Sequence, residues 1–222
     1  MTLKPLPNCI PAALALALAV APAAAQQSEP PVTETAPNLV LEALGQKVTF
    51  PAPDWLSEEE QQSGEVRPLV EMLYRTQGSQ AVLEIMPKGE TEALWNTLYG
   101  VQVSTETTKP LTRIRAEVVA RYASTCQPQA TAFFQLGNDE GETLAPLGFA
   151  CGAYRNDLTG FLGKGEVMIM TFRKNEAGVA LVFQEWRGAA FDPTKPETWP
   201  VATEVVEARA QQLQEDVAAS AD

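Results

Sequence analysis

The chain has 222 residues, with 16 lysines and arginines against 28 aspartates and glutamates, so its formal net charge is −12 at pH 7. An acidic surface disfavours binding to nucleic acid and to anionic membranes, although it does not identify a partner. The chain contains no histidine. That absence removes the usual general base, the Ser-His-Asp triad and most transition-metal sites. We therefore expect no cofactor and no metal site.

The N-terminus has the pattern of a cleavable secretory signal peptide. Lys4 precedes an apolar run at residues 10–20, and small residues follow up to Ala25. This order predicts export, with cleavage after Ala25 and a signal peptide at residues 1–25. An uncleaved membrane anchor is the alternative, but the apolar run is shorter than the roughly 20 residues that span a bilayer. We expect a periplasmic protein with no membrane span in the mature chain.

The segment after the signal peptide changes composition at about residue 39. Residues 26–38 are polar and proline-rich, which predicts a disordered leader before a single domain at residues 39–222. Residues 46–50 alternate weakly and end at Pro51, which indicates a short first strand. Ser57 followed by Glu60 is the signature of a capping box and predicts a brief helical turn.

Residues 69–75 and 81–86 flank a glycine-containing loop, which predicts a β-hairpin. A helix that begins at Pro68 is the alternative, because apolar residues would then share one face. Three further segments have helical spacing, at residues 91–99, 112–124 and 198–217. For the last of these we expect Pro200 in the first turn. Its predicted inner face comprises Val201, Val205, Ala208 and Leu213.

Two more pairs of strands follow from the apolar pattern. Residues 130–136 predict a strand, and residues 144–151 predict its partner, weakened by Pro146 and Gly148. Residues 166–173 and 179–187 form the clearest hairpin, with a turn at residues 175–178. Apolar residues occupy both faces of these two strands, so we expect this hairpin to be covered on both sides. The fold class is therefore α+β, with an antiparallel sheet of about six to seven strands flanked by two or three helices.

Cys126 and Cys151 are the two cysteines that remain after export, since Cys9 lies in the signal peptide. Two cysteines in an exported chain most often form a structural disulfide. A redox pair is the functional alternative, but the spacing is not that of a CxxC motif. We expect the bond to tie the end of the second long helix to the end of a strand.

Four residues are candidates for binding. Trp186 and Arg187 end the clearest strand, and tryptophan and arginine are favoured in interaction hot spots. We favour the structural interpretation, in which Trp186 is core and Arg187 pairs with a carboxylate, because apolar positions in strands are usually packed in the core. Arg155, Lys164 and Arg187 would form a basic cleft if the fold brings them together.

Catalytic motifs are weak or missing. The glycine-rich segment at residues 160–165 lacks the order of a phosphate loop, and no G-x-S-x-G elbow occurs. The turn at residues 138–140 is too short for an EF-hand loop. Acidic residues cluster beside Trp55, as in a sugar-hydrolysing site, but we favour a solvated helix start, because the helix dipole stabilises acidic residues there. That cluster comprises Asp54, Glu58, Glu59 and Glu60.

The run at residues 83–95 resembles a pattern in small exported proteins of proteobacteria, in which a strand ends at P-x-G and a tryptophan-containing helix follows. The paired cysteines, Gly165-Glu166 and Trp186-Arg187 are also similar. The order of elements over residues 46–218 resembles PsbP-like domains. The resemblance implies an antiparallel sheet flanked by helices, and it implies no activity and no catalytic residues.

Export and the missing catalytic motifs favour a non-enzymatic binding or accessory protein of the cell envelope. One alternative is a carboxylate-dependent hydrolase acting on envelope glycans, which needs two acidic side chains about 5–10 Å apart in a cleft. The other is a domain that binds a small apolar or anionic molecule between sheet and helix. The partner, whether an envelope protein or a small ligand, is not identified by the sequence.

Overall fold

The structure is a computed structural model that describes residues 26–27, 29–141 and 143–222. The predicted signal peptide at residues 1–25 lies outside the described residues. Within them, no α-helix is both long enough and apolar enough to cross a membrane. In chain order the elements are β1 (Gln26–Gln27), β2 (Val32–Thr35), β3 (Asn38–Ala43), β4 (Gln46–Pro51), α1 (Glu58–Ser63), β5 (Val70–Gln77), β6 (Gln80–Pro87), β7 (Thr97–Ser104), α2 (Leu111–Ala123), β8 (Thr131–Gln135), β9 (Leu147–Cys151), β10 (Lys164–Asn175), β11 (Gly178–Ala189), α3 (Thr203–Asp216) and β12 (Ala218–Ala221).

The strands form two antiparallel sheets, so the predicted α+β class is confirmed. The larger sheet has the order β1-β5-β6-β7-β11-β10-β9-β8, and the smaller one has the order β12-β4-β3-β2. The predicted hairpins β5–β6 and β10–β11 are both present, as is the β8–β9 pair. The smaller sheet was not expected, because β2 and β12 are short and largely exposed segments without a strong apolar pattern.

The β10–β11 hairpin lies in the interior of the larger sheet, with β7 on one side and β9 on the other. Successive side chains of a strand point to opposite faces. Val167 and Ile169 therefore enter a core shared with α3 and the smaller sheet, while Met168 and Met170 enter a second core that contains residues of α2. The prediction that this hairpin is covered on both sides is confirmed.

Residues 97–104 are a strand, so the predicted helix at residues 91–99 is wrong. The polypeptide makes a tight turn between Thr91 and Leu94, with backbone hydrogen bonds in both directions. It then enters β7, which pairs with β6 and β11. The helical spacing of the apolar residues is coincidental, because Leu94 faces solvent.

Gly100 is required by close packing, since a Cβ there would lie 2.4 Å from the ring of Phe183.

The prediction of a disordered leader at residues 26–38 is wrong for residues 32–35. They form β2, which pairs with β3. Val32 is buried in the main core, and the Glu34 carboxylate accepts hydrogen bonds from the backbone N–H groups of Val66 and Arg67. Amino-acid composition does not reveal such long-range partners. The segment therefore has the composition of a disordered leader although it forms a strand.

The two long helices were predicted, and α2 begins within one residue of its expected start. Helix α3 begins at Thr203, so the expected position of Pro200 in its first turn is wrong. Its predicted inner face is also displaced, because Val205 is exposed whereas Val206, Arg209 and Ala210 are buried. The capping box of α1 is confirmed, with Ser57 and Glu60 bonded in both directions.

Candidate binding site

The structure separates Trp186 from Arg187. They are neighbours in β11 and therefore point to opposite faces of the larger sheet. Trp186 is buried in the core beneath α3 and the smaller sheet. Its role is therefore in packing, as the structural interpretation expected. Arg187 points to the other face, where it meets side chains from three separate segments.

The guanidinium of Arg187 lies among three aromatic rings. Its Cζ is 3.4 Å from the ring centroid of Trp95, 4.7 Å from that of Phe161 and 5.7 Å from that of Tyr154. Its Nη2 is 3.0 Å from Oε2 of Glu166. Cation–π contacts of this kind are strongest where water is excluded. Arg187 is thus held by a carboxylate and by the surrounding rings.

Glu166 reaches Arg187 because of the strand register. The two residues are directly opposite each other in the β10–β11 ladder, so their side chains lie on the same face. The hydroxyl of Tyr154 donates to the same Oε2 of Glu166, and it also lies 3.3 Å from Nη2 of Arg187. Burial and the adjacent Glu166 charge together raise the pKa of Tyr154, so its hydroxyl remains a donor.

A second carboxyl group lies beside this cluster. Glu185 is two residues before Arg187 on the same face of β11, and it is 4% exposed. Burial raises its pKa well above the usual range, and repulsion from Glu166 and Glu84 adds to this, while Arg187 opposes it. The hydroxyl of Tyr122, on α2, lies 3.5 Å from Oε1 of Glu185. Burial thus favours the protonated form of Glu185, which lies beside the arginine-paired carboxyl group of Glu166.

The Glu166–Glu185 pair bears on the hydrolase alternative, which needs two acidic side chains in a cleft. Glu166 is 3% exposed, and neither side chain lines a cavity described below. The acidic cluster chosen from the sequence is also unlike a cleft, because Glu58, Glu59 and Glu60 lie in the first turn of α1, which buries no residue. Burial raises the pKa of Asp54, and Arg209 opposes this effect.

Lys164 and Arg187 line the same cavity, which has a volume of about 160 Å³ and lies between residues 93–96 and the loop before β10. Leu94 also lines this cavity and is 80% exposed. Leu162, in the loop before β10, is 54% exposed. Among the described residues, no carboxylate lies within 4 Å of the Lys164 ammonium group. We define the Arg187 surface as Leu94, Trp95, Phe161, Leu162, Lys164 and Arg187.

Arg155 is not part of this cavity. Its guanidinium pairs with Asp157 at 2.6 Å and donates to the carbonyl of Ser124 at 3.2 Å. The basic cleft considered from the sequence therefore contains Lys164 and Arg187 but not Arg155. The residue types alone suggested a cleft formed by three cations. The loop at residues 152–163 places Arg155 outside this cavity, where it pairs with Asp157.

The predicted disulfide between Cys126 and Cys151 is confirmed, with the two Cα atoms 5.8 Å apart. It joins the chain just after α2 to the last residue of β9, as expected. Cys151 is opposite Glu166 in the β9–β10 ladder, and Cys126 forms a β-bridge with Tyr154. Each cysteine is therefore paired through the backbone with a residue of the cluster around Arg187, Cys151 with Glu166 and Cys126 with Tyr154.

The remaining sequence motifs are structural in the described part of the chain. Asp139 accepts two hydrogen bonds from Arg115, at 2.6 and 2.9 Å, and one from the backbone N–H of Ala145. The glycine-rich segment at residues 160–165 is a loop that leads into β10. Within residues 26–27, 29–141 and 143–222, no group of three or more histidine, cysteine, aspartate or glutamate residues is placed to hold a metal ion.

No protein-family model, curated protein or solved structure matches the chain. The resemblance to small exported proteins and to PsbP-like domains therefore stays a prediction. Function has to be argued from the geometry of the described residues.

Proposed function

We propose that the chain is a non-enzymatic binding or accessory protein of the cell envelope, and that the Arg187 surface binds its partner. The observation that carries the proposal is the exposure of Leu94, at 80%, directly beside the stacked side chains of Trp95 and Arg187. A large apolar side chain with this exposure, next to an aromatic–arginine pair, is typical of interaction sites.

The rigidity of the surface supports the same proposal. Arg187 is fixed by Glu166 and by the ring of Trp95 before any partner arrives. Binding through side chains that are already ordered avoids a loss of about 0.5–1.5 kcal/mol for each long side chain immobilised. Trp95 and Phe161 line a preformed small cavity, which would accept a side chain of the partner.

The charge of the surface indicates the chemistry of the partner. The charge of Arg187 is already balanced by Glu166, whereas Lys164 has no carboxylate within 4 Å among the described residues. A partner segment that places an apolar side chain on Leu94 and a carboxylate near Lys164 would satisfy both features. We propose such a segment of an envelope protein as the partner.

A periplasmic location is part of the proposal. It is supported by the signal-peptide pattern at residues 1–25 and by the disulfide, because disulfides persist mainly in oxidising compartments. Cys151 is opposite Glu166 in the β9–β10 ladder, and Cys126 forms a β-bridge with Tyr154, so the disulfide lies next to two residues that hold Arg187.

Capture of partners from envelope extracts tests the proposal. Purified wild-type protein, Leu94→Asp and the control Val205→Asp would each be immobilised, and bound proteins identified by mass spectrometry. Val205 is exposed on α3, which packs on the face of the larger sheet opposite Arg187. We expect a protein that binds the wild type and Val205→Asp but is reduced at least about tenfold with Leu94→Asp, a loss equivalent to about 1.4 kcal/mol. Equal capture by all three would contradict the proposal.

A further inference from the structure

A second cavity lies at the other end of β10 from the Arg187 surface. Its volume is about 580 Å³, within the range of roughly 300–1,000 Å³ that is typical of small-molecule sites. The start of α2, the end of α3 and the loop before β9 surround it. Lys164 begins β10 and Lys174 is near its end, so the two sites are about 30 Å apart along the strand.

The floor of this cavity is apolar. It contains buried side chains from α2, from the loop before β9, from β10 and from the residue after α3. These four side chains are Leu111, Leu144, Phe172 and Val217. An apolar floor of this kind favours the hydrocarbon part of a ligand.

The rim carries two cations. The Arg173 guanidinium donates to the carbonyl groups of Val217 and Gln214, at 2.9 and 2.7 Å, and so closes the C-terminal end of α3. The Lys174 ammonium donates to the carbonyl of Lys109 at 2.7 Å. Among the described residues, neither cation has a carboxylate within 4 Å, and no acidic side chain lines the cavity.

This local excess of positive charge occurs in a chain whose net charge is −12. Arg173 is partly buried, and burial lowers its pKa, which reflects the cost of holding a cation away from water without a counterion. The N-terminus of α2 adds its partial positive charge at Leu111 and Thr112, which line the same cavity. All three contributions favour an anion at the rim.

We propose that this cavity binds a small organic anion, with its acidic group near Arg173 and Lys174 and its apolar body on Leu144 and Phe172. The site is separate from the Arg187 surface and does not depend on the function proposed for it.

Fluorescence titration with 8-anilinonaphthalene-1-sulfonate tests the inference, because this probe combines a sulfonate with an apolar body. We expect saturable binding to the full chain, weakened at least about tenfold by Lys174→Glu and by Thr112→Asp. An aspartate in the first turn of a helix is favourable for the helix, so Thr112→Asp changes the charge of the cavity without disfavouring the fold. Octanoate should displace the probe, and octylamine should not.

Two controls make the result specific. Lys88→Glu changes the net charge by the same amount as Lys174→Glu, but Lys88 pairs with Glu71 outside the cavity. Leu94→Asp removes the apolar residue of the Arg187 surface. Both variants should bind the probe as the wild type does. The inference is overturned if binding does not saturate, if Lys174→Glu and Thr112→Asp leave it unchanged, if Lys88→Glu weakens it equally, or if Leu94→Asp abolishes it.

Discussion

Arg187 is stacked on Trp95, with its Cζ 3.4 Å from the ring centroid, while its Nη2 bonds the carboxylate of Glu166. The arginine side chain therefore links β11 to the turn before β7 and to β10. The stack places the exposed Leu94 beside Arg187. Arg187 therefore holds the fold together and also orders the proposed binding surface.

Removal of the Arg187 charge should destabilise the fold strongly. Arg187→Met keeps an apolar chain of similar length but leaves the Glu166 carboxylate buried without its partner. Loss of one member of a buried ion pair costs about 3–5 kcal/mol. Urea unfolding of the oxidised protein measures the free energy of unfolding, and we expect a decrease in that range for Arg187→Met.

The double variant Glu166→Gln/Arg187→Met provides the control for this interpretation. Once Glu166 is uncharged, the unpaired charge is gone, so the two losses should not add. We expect the double variant to be more stable than the sum of the single losses predicts, by about 1–3 kcal/mol. Strict additivity would show that Arg187 stabilises the protein through packing alone.

The raised pKa of Glu185 predicts that stability falls as the pH rises. The unfolded carboxyl has an ordinary value near 4.5, and burial and the Glu166 charge raise the pKa in the folded protein. At pH values between the pKa of the unfolded state and that of the folded state, the folded state binds more protons than the unfolded state. The free energy of unfolding therefore decreases as the pH rises through this range. The loss is about 1.4 kcal/mol for each pH unit across that window.

Glu185→Gln should remove this dependence, because the amide does not titrate. Thermal unfolding from pH 4 to pH 9 would compare it with the wild type and with Glu204→Gln, which alters an exposed carboxylate at the start of α3. We expect the stability of Glu185→Gln relative to the wild type to increase with pH, and that of Glu204→Gln to show no such increase. The lack of an increase for Glu185→Gln would argue against a raised pKa of Glu185.

The disulfide should contribute to stability through the chain segment that it closes. Its cysteines are 25 residues apart, and the chain-entropy model assigns such a loop about 3–4 kcal/mol. Cys126→Ser/Cys151→Ser should lose about that free energy of unfolding in urea. The wild type unfolded with a reducing agent should match the double variant, whereas a loss below about 1 kcal/mol would show that packing alone holds α2 to β9.

The pairing of Glu166 with Arg187 was within reach of the sequence. The hairpin turn at residues 175–178 was predicted, and it fixes the register in which Asn175 is opposite Gly178. Counting outward along both strands then places Glu166 opposite Arg187. Apolar residues at both odd and even positions also predicted that both faces of this hairpin are buried, because successive side chains of a strand point to opposite faces.

Trp95 could not be assigned in the same way. Its spacing from Leu94 and Leu98 fits a helix, but the strand pairing of β7 with β6 and β11 overrides this local pattern. Tyr154 and Phe161 come from a loop whose position depends on the disulfide and on long-range hydrogen bonds. Sites assembled from such separate segments need the tertiary structure.

The cavity near Arg173 was missed for the same reason. Its lining comes from segments as far apart as Leu111, Phe172 and Val217. In the sequence, Arg173 and Lys174 simply mark the polar end of an apolar strand. Only the positions of their neighbours in space show that, among the described residues, neither cation has a carboxylate within 4 Å.

Site-specific photocrosslinking in cells tests the central proposal, that the Arg187 surface binds an envelope partner. Para-benzoylphenylalanine would replace Leu162, which is 54% exposed in that surface, or Val205, which is 43% exposed on α3. We predict a discrete adduct with an envelope protein from position 162, none from position 205, and loss of the adduct when Leu94→Asp is added. No adduct from position 162, or equal adducts from both positions, would contradict the proposal.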